Sequence, residues 1–398
     1  MLAVGGKPDP LGSGQVLDGS WRFHPGDNPA WADPRTDDRN WDRITLVSRP
    51  DIRDGDVGIP GYFDGWRAHG HPQLDGYGWY RKHVAVPPRS DLVLVAPPAV
   101  DDGYEMFWDG HPLGGIGRLS GSPRVGITRP KVVPLPVSGA HTGLLAIRTY
   151  MQPGAGRDGQ SGGLRTLPVL ASRAQGEALY RAQWRRTIAG YIAELVEPVA
   201  MLVLAIIAVL AASRLPRPAF ARWLALALVA SACLRLGNAI IAWTDLLSQS
   251  ELGWQNGVIF VPLSKLAWTI AWNHWTPGRG SRLVSWAALL ASSALVVSAL
   301  AGSPLFAGAG RAAFAVALVA IAVRIVRRGD HKWLALTAML LTAIFLFPAD
   351  LSALGVPGIW FPFNIGVSRS QYAYALALPL LAYALVAYRN DTRANPPR

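Results

Sequence analysis

Trp66, Trp79, Tyr104 and Trp108, with Arg81, Asp101 and Asp102 near them in the chain, have the chemistry of a saccharide site. A sugar ring stacks its apolar face on an aromatic platform, and its hydroxyls pair with carboxylate, amide or guanidinium groups. The loop IPGYFDGWRAHGHPQLDGYG, residues 59–78, is a further candidate, because long aromatic loops that are hard to bury tend to be functional. His24, His69, His71 and His83 raise the question of a metal, but the H-x-H pair at 69 and 71 has no third ligand at a recognisable spacing. No metal and no other cofactor are expected.

A second group of chemistry-bearing residues stands in apolar surroundings: Glu194, Glu197, Arg235 and Lys265. Ionisable side chains in membrane spans are costly, and they are usually paired or functional. By depth, Glu197 is expected to meet Arg235 or Lys265 and to link three helices, either as a pair that shifts on signalling or as a static brace. Nucleophile-elbow, zinc-protease and phosphate-loop motifs are missing from suitable contexts, so a non-enzymatic protein is expected.

Two unlike halves must position these groups. The 398 residues are 51% hydrophobic and 16% charged, but the apolar blocks begin only after about Arg186. Before that point, Gly- and Pro-punctuated runs such as GWYRKHVAV, DLVLVA, GYEMFW and LLAIRTY alternate as half-buried strands do, and Asp109-Gly110 is a strong hairpin turn. They suggest an all-β sandwich. After it come seven candidate spans, at 191–212, 223–244, 257–274, 284–303, 311–327, 332–349 and 371–388. The expected fold class is therefore a multidomain β + α membrane protein, an all-β jelly-roll sandwich followed by a seven-helix transmembrane bundle. Its divisions are a flexible start (1–16), a sandwich (17–170), a linker (171–190), the bundle (191–388) and a short tail (389–398).

Loop charges set the orientation, because Lys and Arg are retained on the cytoplasmic side. Arg214, Arg217 and Arg222, then Arg279 and Arg282, then Arg324, Arg327, Arg328 and Lys332, and finally Arg389, Arg393 and Arg398 follow alternate spans. The intervening loops are poor in basic residues, with Asp245 and Glu251 in one and Asp350 and Arg369 in another. This puts the tail in the cytoplasm and the sandwich outside, in the periplasm of a bacterial inner membrane. Arg181, Arg185 and Arg186 precede the first span on the outer side and are expected to meet lipid headgroups. An outer domain calls for a signal peptide, and MLAVGGKPDPLG has neither a basic start nor an apolar core, so the start is expected further upstream. The net charge of +12 would suit nucleic acid, but it resides largely in these loops, and no nucleic-acid partner is expected. Cys233, the one cysteine, lies in an apolar block and allows no internal disulfide.

LDGSWRFHPGD, GYGWYRKHVAVP, VDDGYEMFWDGHPLG and LLAIRTY together resemble the galactose-binding-like jelly roll that opens family 2 glycoside hydrolases. Trp108-Asp109-Gly110 stands where that pattern has Asn-Gly. The resemblance covers about Leu17 to Tyr150 and lacks the catalytic barrel, so it implies no glycosidase activity. It also implies a structural alternative for the aromatic and acidic residues, with Trp79-Tyr80 in the core and Asp101-Asp102 tying a strand to a loop. The order of the halves resembles bacterial seven-transmembrane receptors with diverse intracellular signalling modules. That implies an outer domain sensing a carbohydrate or other small ligand. RNDTRANPPR after Tyr388 is too short for an output domain, so the output is expected in a separate cytoplasmic signalling protein or a continuation of the chain. A second copy of the chain, giving a homodimer, is a further candidate partner. The rivals are a transporter or carrier with Arg235 and Lys265 along a substrate path, and a membrane-anchored glycan-binding envelope protein.

Overall fold

A computed structural model describes residues 14–53, 58–127, 129–136, 141–154, 161–213, 218–244, 246–275, 278, 280–328, 332–360 and 367–394. The first 13 residues, Arg214, Arg217, Asp245, Arg279 and Arg398 lie outside that description. The chain divides into two compact units, Met1–Gly190 with Ile241–Ser250, and Tyr191–Ile240 with Glu251–Arg398.

In the first unit the alternating runs are strands: β1 (Gln15–Val16), β2 (Gly19–Pro25), β3 (Asp42–Leu46), β4 (Gly76–Val86), β5 (Leu92–Val95), β6 (Gly103–Trp108), β7 (His111–Ile116), β8 (Val132–Pro134), β9 (His141–Met151) and β10 (Val169–Ser172). They form an antiparallel six-stranded sheet, ordered β3-β2-β4-β9-β6-β7, and a four-stranded sheet, ordered β1-β10-β5-β8. The period of two sends Tyr80, Val84 and Val86 to one face of β4, where they join Trp21, Phe23, Met106, Ile147 and Leu94 in the main core. Between β6 and β7, Asp109 (φ 47°) and Gly110 (φ 81°) both take the left-handed backbone that the tight hairpin turn requires.

The opposite face of β4 is covered too. Residues 26–41 fold across it and place Trp31 and Trp41 over Trp79, which also stacks on Phe107 at 5.6 Å. This cover is why adjacent Trp79 and Tyr80 are both buried, although they point to opposite sides of the sheet.

After β10 the chain enters α1 (Arg173–Tyr191) without an intervening loop. Ser172 and Gln175 form a reciprocal cap: the Ser172 backbone N–H donates to Gln175 Oε1 at 3.2 Å, and the Gln175 N–H donates to Ser172 Oγ at 3.4 Å. Residues 171–190, expected as a linker, are thus the end of a strand and a helix. Gly176 lets α1 lie against β5, since a Cβ there would sit 2.3 Å from Val93 Cγ2.

The second unit is helical: α2 (Ala193–Ala212), α3 (Ala219–Trp243, whose last residues belong to the first unit), α4 (Gln249–Gln255), a π-turn (Asn256–Phe260), α5 (Val261–Trp275), α6 (Ser281–Ala301), α7 (Pro304–Arg328), α8 (Lys332–Leu346), α9 (Pro348–Ala353) and α10 (Arg369–Ala394). A short hairpin of β11 (Ile359–Trp360) and β12 (Val367–Ser368) precedes α10. Among the described residues four helical stretches are long and apolar enough to cross a membrane: Arg173–Ala212, α3, α6 and α7. Helices α5, α8 and α10 lie over the other expected spans but fall outside that set. α2 shows why the stretch reads as lipid-facing. Met201, Leu204 and Ala208 are buried, yet Val199, Val203, Ile206 and Leu210 on the other side are exposed and equally apolar.

Candidate functional sites

The residues expected to form a sugar platform are core residues. Trp66, Trp79, Arg81, Tyr104 and Trp108 are each at most 2% exposed and present no face to a ring at the surface. For Trp66, Tyr104 and Trp108 the cause is the inward phase of their elements; for Trp79 and Arg81 it is the 26–41 cover. Arg81 holds that cover down. Its guanidinium donates to the carbonyls of Thr36 (2.9 Å) and Asp33 (3.0 Å) and pairs with Asp38 at 2.9 Å. Burial pulls its pKa below the usual guanidinium value, against the opposing pull of Asp38 and Asp33.

Asp101 and Asp102 tie loops together. Asp101 Oδ2 accepts from the N–H groups of Ser161 (3.1 Å) and Gly162 (2.6 Å) and from Arg165 (3.0 Å). Asp102, with φ 64°, accepts from the Gln152 N–H at 2.6 Å. The long loop 59–78 is pinned by the same neighbours. Trp66 and Arg67 donate backbone N–H groups to Gly162 and Ser161, and Arg165 donates to the Phe63 carbonyl. Gly162 and Gly163 arch over the Trp66 ring, where a Cβ on either would come within 2.6 Å of it. His69 and His71 flank the turn at Gly70 in this loop, and among the described residues no three metal-binding side chains converge.

An open site does exist at the edge of the sandwich. A cavity of about 310 Å3 lies between Gly115–Gly117 at the end of β7, Arg129–Lys131 before β8, and Trp184 on α1. Lys131 Nζ donates to the Gly115 carbonyl at 3.2 Å, which fixes one wall. Trp184 supplies an aromatic edge beside two cations. These residues carry no legible signal in the sequence, because Trp184 sits among arginines in a segment that reads as a linker.

In the helical unit, Arg235 of α3 pairs with Glu194 (3.0 Å) and Glu197 (3.3 Å), both on α2, and all three are largely buried. Gln371 of α10 joins them, donating from Nε2 to Glu194 Oε1 at 3.0 Å while its Oε1 accepts from the Ser368 N–H at the helix start. Of the two expected partners for Glu197, the structure thus chooses Arg235. Lys265 is elsewhere: its Nζ donates to the Leu346 carbonyl at the end of α8 and lies 4.0 Å from the centre of the Phe347 ring. α3 carries Arg235 toward α2, whereas α5 turns Lys265 toward the end of α8.

No family model and no curated protein matches the chain. Solved structures match part of it. A β-glucuronidase 2 from Bacteroides uniformis is 19% identical over 39% of this chain and 17% of its own, with a TM-score of 0.27. A glycosyl hydrolase family 2 member from Bacteroides cellulosilyticus is 19% identical over 40% of this chain and 20% of its own, with a TM-score of 0.28. A Ruminococcus gnavus β-glucuronidase is 12% identical over 34% and 21%, with a TM-score of 0.23. This chain therefore spans about a fifth of those proteins' length. The likeness is partial in each case. It brings no glycosidase activity to this chain, and the receptor resemblance draws no support from it.

Proposed function

We propose that this protein is a non-enzymatic, receptor-like sensor of a bacterial inner membrane. Its periplasmic sandwich takes a carbohydrate or other small ligand, and a seven-helix transmembrane bundle relays the event to a separate cytoplasmic partner. The observation that carries this reading is the cavity shared by sandwich loops and Trp184. A ligand there touches both the sandwich and the helix that leads into α2, so its differential affinity for two settings of α1 can shift the equilibrium between them. Trp184 offers stacking, and Arg129 and Lys131 favour hydroxyl-rich ligands that carry an acid group.

The test is thermal unfolding of the full chain in detergent micelles with neutral, amino and uronic saccharides. A uronic saccharide is expected to raise the melting temperature by several degrees, and Trp184→Ala to abolish the shift. A flat response to every saccharide, or a shift that survives Trp184→Ala, overturns the reading. The carrier is a second reading, favoured by a polar cavity in the helical unit that Arg235 and Lys265 line.

A further inference from the structure

The helical unit encloses a cavity of about 340 Å3, within the range of small-molecule sites, and its walls are not those of a packing defect. Arg235, Lys265, Arg311, Asp350, Asn256 and Tyr374 all line it. Two of its three cations are already neutralised. Arg235 is held by Glu194 and Glu197, and Arg311 pairs with Asp350 at 3.1 Å. Lys265 is 6% exposed, and among the described residues no carboxylate lies within ion-pairing distance of it. Its contacts with the Leu346 carbonyl and the Phe347 ring offset part of the cost of burying an ammonium, but neither supplies a negative charge.

The acceptors around it are unsatisfied in the complementary sense. Among the described residues, Asn256 Oδ1 and Asp350 Oδ2 are buried without a hydrogen-bond donor, and Arg235 Nε is a buried donor without an acceptor. Backbone irregularity concentrates here as well. Asn256 opens the π-turn before α5, and α8 breaks at Phe347-Pro348 before α9. Interrupted helices that expose carbonyls and polar side chains to a cavity are how membrane proteins build small-molecule sites.

We infer that this cavity is a second binding site, for a small carboxylic acid that also carries hydroxyl or ammonium donors. The carboxylate meets Lys265, and the donors meet Asp350 and Asn256. A 340 Å3 space holds a hydroxy acid or amino acid of modest size with room for bridging water. The site stands independently of the sandwich cavity, which shares none of these residues.

The experiment is a thermal-shift titration of the full chain in detergent micelles with L-serine, glycerate, acetate and glycerol. Serine or glycerate is expected to raise the melting temperature by several degrees. Acetate, which has the charge without the donors, shifts it less, and glycerol, which has the donors without the charge, leaves it unmoved. Lys265→Met is expected to remove the response, and Asn256→Leu to weaken it at least tenfold in apparent Kd. Trp184→Ala retains it, so failure of the saccharide reading and failure of this one are separable. If Lys265→Met does not fold, protection of Lys265 from amine-reactive labelling by glycerate, which has no amine of its own to consume the reagent, gives the same answer in the unaltered chain. No shift with either acid, a shift unchanged in Lys265→Met, or labelling that glycerate does not slow overturns the proposal.

Discussion

Arg81 and Arg148 show how charged side chains enter a sandwich core without being left bare. Each is under 5% exposed, and each meets a carboxylate that reaches in from a loop, Asp38 for Arg81 and Asp27 for Arg148, which also pairs with Glu105 of β6. Buried pairs of this kind are costly to break from one side only, because the partner charge is then stranded. Alternation along GWYRKHVAV separates the faces of β4, but nothing local to it announces that the 26–41 segment will cover the second face. For that reason alternation alone leaves Trp79 and Arg81 as site candidates or core residues, and the fold makes them core. On the outer rim of the same segment, Arg35 holds the Asp33 carboxyl down to about 2, and Arg39 does the same to Asp37. A carboxyl depressed on folding adds stability above its unfolded value of about 3.9, and that stability is lost as pH falls through about 2. The sandwich is expected to lose stability between about pH 4 and pH 2, and Asp33→Asn with Asp37→Asn to flatten part of that slope. Thermal melts across this pH range check it.

At the scale of elements, two helices start by the same device. Ser172-Arg173-Ala174-Gln175 and Ser368-Arg369-Ser370-Gln371 are both capping boxes, with serine and glutamine exchanging bonds three residues apart. Both are legible in sequence as Ser-x-x-Gln before a helical run, and they would have marked the start of α1 at Arg173 instead of a linker. The Asp109-Gly110 hairpin was legible for the same reason, because turn chemistry is local. The pairing of Glu197 was less so, since depth along a span leaves the rotation of neighbouring helices open and two cations were within reach. The Gly162-Gly163 arch is another long-range feature: its tight approach to Trp66 follows from how 161–163 crosses a loop nearly a hundred residues away. Gly163 has φ 71°, and a Cβ there would come 2.2 Å from the Tyr80 hydroxyl. Gly163→Ala is expected to destabilise the sandwich by about 3 kcal/mol, from backbone strain and overpacking combined. Chemical denaturation followed by tryptophan fluorescence measures this.

At the scale of the molecule, the two halves differ in the side chains they expose. The sandwich buries its aromatics and keeps its charges paired, while the helices leave Val203, Ile206, Leu290 and Val316 open on their outer faces. That contrast was plain in composition, because hydropathy over 20 residues needs no tertiary information. Sidedness follows from the proposed topology. A cysteine placed at His111, the exposed first residue of β7, in a chain with Cys233→Ser is expected to react with a membrane-impermeant maleimide in intact spheroplasts. Reaction only after lysis would put the sandwich on the cytoplasmic side.

The link from Gln371 to Glu194 spans 177 residues. A ribosome adding roughly 5–20 residues per second needs roughly 10–35 s to travel that distance. Throughout that interval the earliest apolar helix carries a carboxylate whose last partner has yet to be made. The link is thus closed only once α10 has been made, and a chain interrupted before Arg369 would leave the Glu194 carboxylate without its amide donor.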